Sequence, residues 1–496
     1  MASFSHTDIL QVMVAVLVIA PIMIIFVVNL LPNRAVSNWM MASIGLLSGV
    51  QMAAAIYCAY VLWYTRNDFI QFHFFSEMGY TSVYLTVDFL SLLMLFVIAM
   101  VIFAAVIAAR RRIEGEEVSF CTWMMLALLT MNAATMVNDL FSLFLTTEII
   151  SFITMILGNS DGMRARPSFV ELLTGGKGIK ALIPDLIALG FWLVGLLIFR
   201  ISASWDFDQL YALLYNGLSA WQVLAMVLIA TAVAYQAKLI PFQSTKAEQL
   251  QASSAHVSVL RDGILIKISS VYVLFRLVMD VFGPNRILVA IFLVLGLISV
   301  VLGSYFSCVG RNLKVMQVYS SISRLGYMVL GIVSGNIVGW IGAATYMVCH
   351  AISSSVTLIN NDVLERQFGS ADLDVFGGGL SRSMRFVSAT SFISHLSNAA
   401  MPPLAGFWAK LLIVIGLWQA GYVAAAVIAT LATLFGLYYF LRVAHKVFLG
   451  APTERVGVVD SRGMVRFITV LYSAILVLAG IAYPWILLFL HSQGIF

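Results

Sequence analysis

The sequence predicts an all-α polytopic membrane protein with about fourteen transmembrane helices, on three observations. Of the 496 residues, 61% are hydrophobic and only 10% charged, where soluble domains carry about 25% charged residues. The apolar residues fall into runs near the roughly 20 residues that cross a hydrocarbon layer. The basic residues between those runs gather on alternate loops, as the positive-inside rule requires of a spanning bundle.

The first run, 9–31, lacks the basic start and small-residue cleavage site of a signal peptide and reads as a span. Runs 37–63, 87–109 and 119–137 follow on apolar length alone. The fifth, 139–158, contains Asp139 and Glu148, and Asp185 opens the sixth, 180–199. The seventh, 219–243, carries Lys238 and Pro241, and the eighth, 255–279, carries Arg261, Asp262 and Lys267. Runs 286–309 and 313–334 come next, with Arg324 read as lying near an end of its span, its head snorkelling to the interface. The eleventh, 337–362, holds His350. The twelfth, 388–417, holds Pro402, Pro403, Gly406 and Lys410. Runs 421–449 and 465–490 complete the set.

No loop is long enough to fold separately, so residues 1–496 form one membrane domain. Within it we expect N-terminal helices over 1–110, a five-helix repeat over 118–280 (spans 4–8), a second over 286–450 (spans 9–13), and a last helix over 464–496. The broken helices 7 and 12 each stand fourth in their repeat, a transporter architecture.

Nineteen Lys and Arg lie in loops after odd-numbered spans and four, Arg66, Arg200, Arg276 and Arg286, on the other side. The first set is therefore cytoplasmic and both termini face outward, which requires an even number of spans. Five basic residues remain inside spans: Lys238, Arg261, Lys267, Arg324 and Lys410. A charge at the bilayer centre costs about 2.5–3.5 kcal/mol on insertion scales, so such residues face the interior and mark ion paths. A carboxylate such as Glu148 beside a lysine can ionise and exchange protons with it. Asp139 lies nine residues before Glu148, on the opposite side of the helix.

Proline removes a backbone donor and clashes with the preceding turn, so helices 7 and 12 should break at Pro241 and at Pro402 and Pro403. Unwound backbone in a membrane is tolerated only inside protein or beside water. Lys238 lies three residues before Pro241 and Lys410 seven after Pro403, placing a buried lysine near each break. The plainer alternative is a kink that only shapes packing.

Composition also excludes. The small net charge of +5, confined to short loops, argues against nucleic acid. Cys58, Cys121, Cys308 and Cys349 form no Cys-x-x-Cys pair and the seven histidines no ligand spacing, so no metal site, cofactor or active site of the chain's own is expected.

The strings YLTVDFLSLL (84–93), NDLFSLFLTTEIISF (138–152), VSVLRDGILIKISSVYVLFR (257–276), NLKVMQVYSSISRLGYMVLGI (312–332), CHAISSSVTLI (349–359), DLDVFGGGLSRSM (372–384) and SNAAMPPLAGFWAKLLIV (397–414) occur in that order. Together they resemble the antiporter-like membrane subunits of respiratory complex I, the Mrp-type cation/proton antiporters and the membrane-bound hydrogenases. The wording is nearest the Mrp D-type subunit and its hydrogenase counterparts. The resemblance implies that Glu148 modulates a neighbouring lysine, that Lys267 is a central-axis lysine, and that Lys410 is the lysine of the broken twelfth helix. It implies that His350 belongs to a proton path, the alternative being a buried histidine satisfied by a helix carbonyl.

The chain departs from the family pattern in several places. Gln236 occupies the usual place of the seventh-helix lysine, and Lys238 is displaced by two residues, about 200° around a regular helix. Either local unwinding restores it or the site has changed. Gln243 and Thr245 replace a histidine and a tryptophan, Ser354 stands where lysine is frequent, and Arg261 and Asp262 replace small or apolar residues.

The resemblance implies a subunit, among other membrane subunits including further antiporter-like ones, that moves H+, alone or exchanged for Na+, along Glu148, Lys238, Lys267, His350 and Lys410. Its complex would be a redox-driven pump or a cation/proton antiporter in a bacterial or archaeal cytoplasmic membrane. Competing readings are a non-conducting structural homologue that packs the membrane arm, and a membrane enzyme or quinone-binding module.

Overall fold

The computed structural model describes residues 6–31, 33–65, 69–74, 83–109, 117–160, 176–202, 204–243, 254–450 and 459–492. Of the loop residues used for orientation, Arg66, Arg110, Arg111, Arg112, Arg164, Arg166, Lys246 and Arg455 lie outside these. Thr245 and the polar run from 244 to Gln251 do so as well.

The apolar runs coincide largely with helix, although the run 87–109 begins on strand, 219–243 leaves helix after Gln236 and 388–417 is interrupted between Asn398 and Ala405. The first half comprises α1 (His6–Leu30), α2 (Asn33–Thr65), α3 (Phe89–Ala109), α4 (Glu117–Met136), α5 (Leu140–Ser160), α6 (Gly176–Ser202), the short amphipathic α7 (Phe207–Asn216) and α8 (Ala220–Gln236). Next comes a helical rod, α9, which starts as Ala255–Leu260. It continues through π-helical Arg261–Leu265 and Lys267–Tyr272, α-helical Val273–Arg276 and π-helical Leu277–Val281.

The second half comprises α10 (Arg286–Val309), α11 (Leu313–Val333), α12 (Ile337–Phe368), the single turn α13 (Leu373–Phe376), α14 (Arg385–Asn398), α15 (Ala405–Gln419), α16 (Val423–Val443) with its π-helical extension Ala444–Leu449, and α17 (Gly463–Ser492). Among the described residues, nine helices are long and apolar enough by themselves to cross a membrane.

Among the described residues, the structure departs from an all-helical expectation in a two-stranded sheet. Strands β1 (Phe69–Phe74) and β2 (Val83–Asp88) pair antiparallel, Phe69 opposite Asp88, with β2 against α3 and α4. Asp88 there receives Arg276 Nη1 on Oδ2 at 2.7 Å and Nη2 on Oδ1 at 3.1 Å, and Asp280 holds the same guanidinium at 2.9 Å. Arg276, counted from sequence as a loop residue, is thus buried inside the rod, two carboxylates compensating its charge.

Helices approach closely where side chains are small, because apolar burial gives helices no preference for one another over lipid. A Cβ on Gly303 of α10 would stand 2.8 Å from the Ser323 main-chain nitrogen of α11, and one on Gly416 of α15 would stand 2.6 Å from Gly339 of α12. The nearly wholly buried α9 lies at the centre, against α3, α4, α5, α8, α11 and α12.

Candidate functional site

Two polar clusters flank α9, the first partly buried and the second buried. The first forms where α8 stops: its last helical residue is Gln236, and Lys238 follows with φ 51°, the left-handed region that a side chain with a Cβ rarely adopts. The chain there runs into Pro241, and the Ile240 amide donates to Ser299 Oγ of α10 at 3.0 Å. This unwinding swings Lys238 into the same cavity as Glu148, answering the displacement seen in sequence.

The cavity, about 50 Å3, is lined by Glu148, Asp185, Tyr235, Gln236 and Lys238, with Ile266 and Ser269 of α9 on its inner wall. The pairing is crossed relative to the sequence-based expectation. Gln236 Nε2 donates to Glu148 Oε1 at 2.8 Å, whereas Lys238 Nζ lies 3.3 Å from Asp185 Oδ1. The Tyr235 hydroxyl donates to that same Asp185 oxygen, and the Lys238 ammonium sits 3.8 Å above the Tyr235 ring. Asp185 is the carboxylate missing from the sequence-based site; its signal was an acid in an otherwise apolar run.

Lys267 is fully buried on α9, its ammonium donating to the main-chain oxygens of Asp262 and of Gly263, the latter at 2.6 Å. The π turn there, in which the Ile266 amide reaches back to the Arg261 oxygen, is wider than an α turn and occurs often at functional sites. Arg261 and Asp262 are buried too, and Ser321 of α11 donates to Asp262 Oδ1. Asp139 stands apart: its Oδ1 accepts the Ser142 amide at 2.7 Å, capping the first turn of α5.

The second cluster forms at the break between α14 and α15, which contains Pro402 and Pro403. Lys410 Nζ donates to the Asn398 main-chain oxygen at 2.9 Å, the open C-terminal end of α14, and faces the Tyr327 and Tyr346 rings at 4.5 and 5.6 Å. His350 is fully buried one turn from Ser354, whose hydroxyl lies 3.3 Å from its Nδ1.

Arg324 does not snorkel. It sits eleven residues into α11, about 16 Å from the helix start. At 2% exposure, it donates from Nε and Nη2 to the Ser320 main-chain oxygen and hydroxyl at 3.0 and 2.9 Å. His395 of α14, which the sequence reading passed over, is buried with Nδ1 2.8 Å from the Ser391 oxygen and Nε2 3.3 Å from the Tyr439 hydroxyl. Among the described residues no group of three or more His, Cys, Asp or Glu forms a metal cage.

These clusters offer ionisable groups on interrupted helices inside an apolar bundle, chemistry suited to holding and passing small cations. Residues 137–436 match the family described as NADH:quinone oxidoreductase/Mrp antiporter, TM. NADH-quinone oxidoreductase subunit N 1 of Rhizobium meliloti (strain 1021) is 27% identical over 353 residues, 69% of this chain and 70% of that protein. A chain of the Mrp complex from Dietzia sp. DQ12-45-1b superposes with a TM-score of 0.82 at 21% identity, over 98% of this chain and 96% of that one. A chain of the membrane-bound sulfane sulfur reductase, an archaeal respiratory membrane complex, gives a TM-score of 0.83 at 20% identity, over 98% and 97%.

Proposed function

Because the chain belongs to the NADH:quinone oxidoreductase/Mrp antiporter membrane family, we propose that it conducts protons within a multi-subunit membrane complex. Protons, alone or exchanged for Na+, move along Glu148, Lys238, Lys267, His350 and Lys410, with Asp185 added as the partner of Lys238. The chain crosses a bacterial or archaeal cytoplasmic membrane fourteen times with both termini outside, beside further antiporter-like subunits. The energy comes from those partners, as redox chemistry or as an opposing ion gradient.

The observation that carries this reading is the cavity uniting Glu148, Asp185 and Lys238 against the wall of the rod that bears Lys267. Desolvation favours the neutral amine of a lysine and a nearby carboxylate favours the ammonium, so a change in pairing at one site shifts the proton preference of the next. Crossed pairing keeps a lysine and two carboxylates within one cavity although the usual lysine position holds Gln236.

The test is ion translocation by the intact complex in sealed vesicles, wild type against Lys267→Ala and Lys410→Ala, with assembly checked in parallel. Loss of translocation in an assembled complex is the expected result. Wild-type translocation in both variants would instead make the chain a packing subunit, the reading favoured by neutral Gln236 beside Glu148 and Ser354 beside His350.

A further inference from the structure

On the face where the basic loop residues gather, α3, α12 and the start of α17 border a cavity of about 580 Å3 that includes none of the five proposed path residues. Its lining is graded along α12. Ile359, Val363, Arg366 and Gln367 recur at helical spacing on one side of that helix, and all four border the cavity. Ile359 is buried and Arg366 exposed, about 10 Å further along the axis. Ile107 and Ala108 of α3 and Val465 of α17 add to the apolar part, and Arg462 to the polar part.

Two guanidinium groups and two carboxylates line this space, and the carboxylates are both engaged. Asp460 caps the first turn of α14, accepting the Phe386 and Val387 amides at 2.8 and 3.3 Å and the Ser461 amide at 2.7 Å. Asp362 receives Nε of Arg366 at 3.1 Å, one turn apart on α12, which occupies one of the five donors of that guanidinium. Arg462 is exposed and forms no ion pair or hydrogen bond with a described residue. The sequence adds to the positive charge here: α3 ends at Ala109, and the next three residues are Arg110, Arg111 and Arg112.

A space that is cationic at one end and apolar at the other suits an amphipathic anion. Guanidinium forks match phosphate oxygens in geometry and charge. The volume falls in the range of about 300–1,000 Å3 typical of small-molecule sites, room for a headgroup and glycerol but not for two acyl chains. The chains have a continuation along α17, where Met464, Phe467 and Leu471 stand exposed at helical spacing, leading away from the cavity. A soluble phosphate would gain nothing from Ile107, Ile359 or that stripe. Basic pockets between membrane helices are a setting in which acidic lipid headgroups bind.

We propose that the cavity between α3, α12 and α17 binds an anionic phospholipid, with its phosphate on Arg462 and Arg366 and its glycerol against Ile107, Ile359 and Val465. The bound lipid ties the last helix of the chain to an N-terminal one. The site is independent of ion translocation and is tested without measuring it.

The intact complex in detergent is mixed with a phosphatidylglycerol carrying a diazirine beside its headgroup, irradiated and digested, and the labelled peptides are identified by mass. Labelling is expected within 359–367 and 459–467. Unlabelled dioleoylphosphatidylglycerol should compete for it, and dioleoylphosphatidylcholine or inorganic phosphate at the same concentration should not. Arg462→Gln should reduce it roughly fivefold, the contribution of one basic residue beside an anionic lipid. Equal competition by phosphatidylcholine would overturn the proposal in favour of ordinary boundary lipid, and equal competition by inorganic phosphate would make the occupant a soluble phosphate. Absence of label from both segments, or undiminished label in Arg462→Gln, would also overturn it. Where that variant fails to assemble, the competition series on the wild type decides.

Discussion

At the scale of the residue, the chain reaches a charged cavity by an unusual distribution of partners. A neutral amide, Gln236, holds Glu148 while the lysine two residues on holds Asp185. The left-handed backbone at Lys238 makes this possible, at a cost of order 1–3 kcal/mol that the surrounding packing sustains. Lys238→Ala is expected to lower translocation by about tenfold, the equivalent of ~1.4 kcal/mol in the barrier. Adding Gln236→Lys should recover much of it by placing an ammonium directly against Glu148. Translocation rates of the single and double variants in vesicles check this, and a double variant no faster than the single would refute the equivalence of the two positions. None of the crossing was legible beforehand, because Asp185 and Lys238 are 53 residues apart in sequence and meet only through the packing of α6 on α8. Arg324 failed for a different reason: the run 313–334 coincides with α11, Leu313–Val333, so its bounds already put the guanidinium at mid-helix, and the reading of an end residue went against them.

At the scale of the element, the twelfth-helix break was legible and the π turns were not. Pro402 and Pro403 announce a stop, and α14 ends at Asn398 with α15 starting at Ala405. A π turn differs from an α turn only in which carbonyl each amide reaches, a choice without a compositional signature, so the rod read as one ordinary span. The β1–β2 hairpin was likewise hidden beside longer apolar runs, and α12 extends to Phe368, beyond its expected end at 362. There Gly369, at φ 68°, supplies the left-handed turn that closes many helices. The break is packed from outside by α17: a Cβ on Gly480 would lie 2.2 Å from the Pro403 oxygen. Gly480→Val is therefore expected to destabilise the protein by about 1–3 kcal/mol through overpacking, read as a lowered thermal midpoint in detergent, while Gly436→Ala, with open space around it, should leave the midpoint unchanged.

At the scale of the whole molecule, the sidedness proposed for the bundle rests on the distribution of loop charge. Arg382, beyond α12, and Gln419, at the end of α15, should lie on opposite faces, cytoplasmic and external. In Arg382→Cys and Gln419→Cys variants, a membrane-impermeant thiol reagent added outside intact cells is expected to label only the second. The four native cysteines are buried and give little background. Labelling of the first variant instead would reverse the assignment. One helix gives the orientation an electrical meaning. The fourteen residues of α14 have a carboxylate, Asp460, at one end and an ammonium, Lys410, at the other. The helix is about 21 Å long, some two thirds of a hydrocarbon layer roughly 30 Å thick. A unit charge carried along its length therefore falls through most of the membrane potential, which amounts to about 1.6 kcal/mol for every 100 mV, so traffic beside this one helix would be felt as a voltage-dependent current.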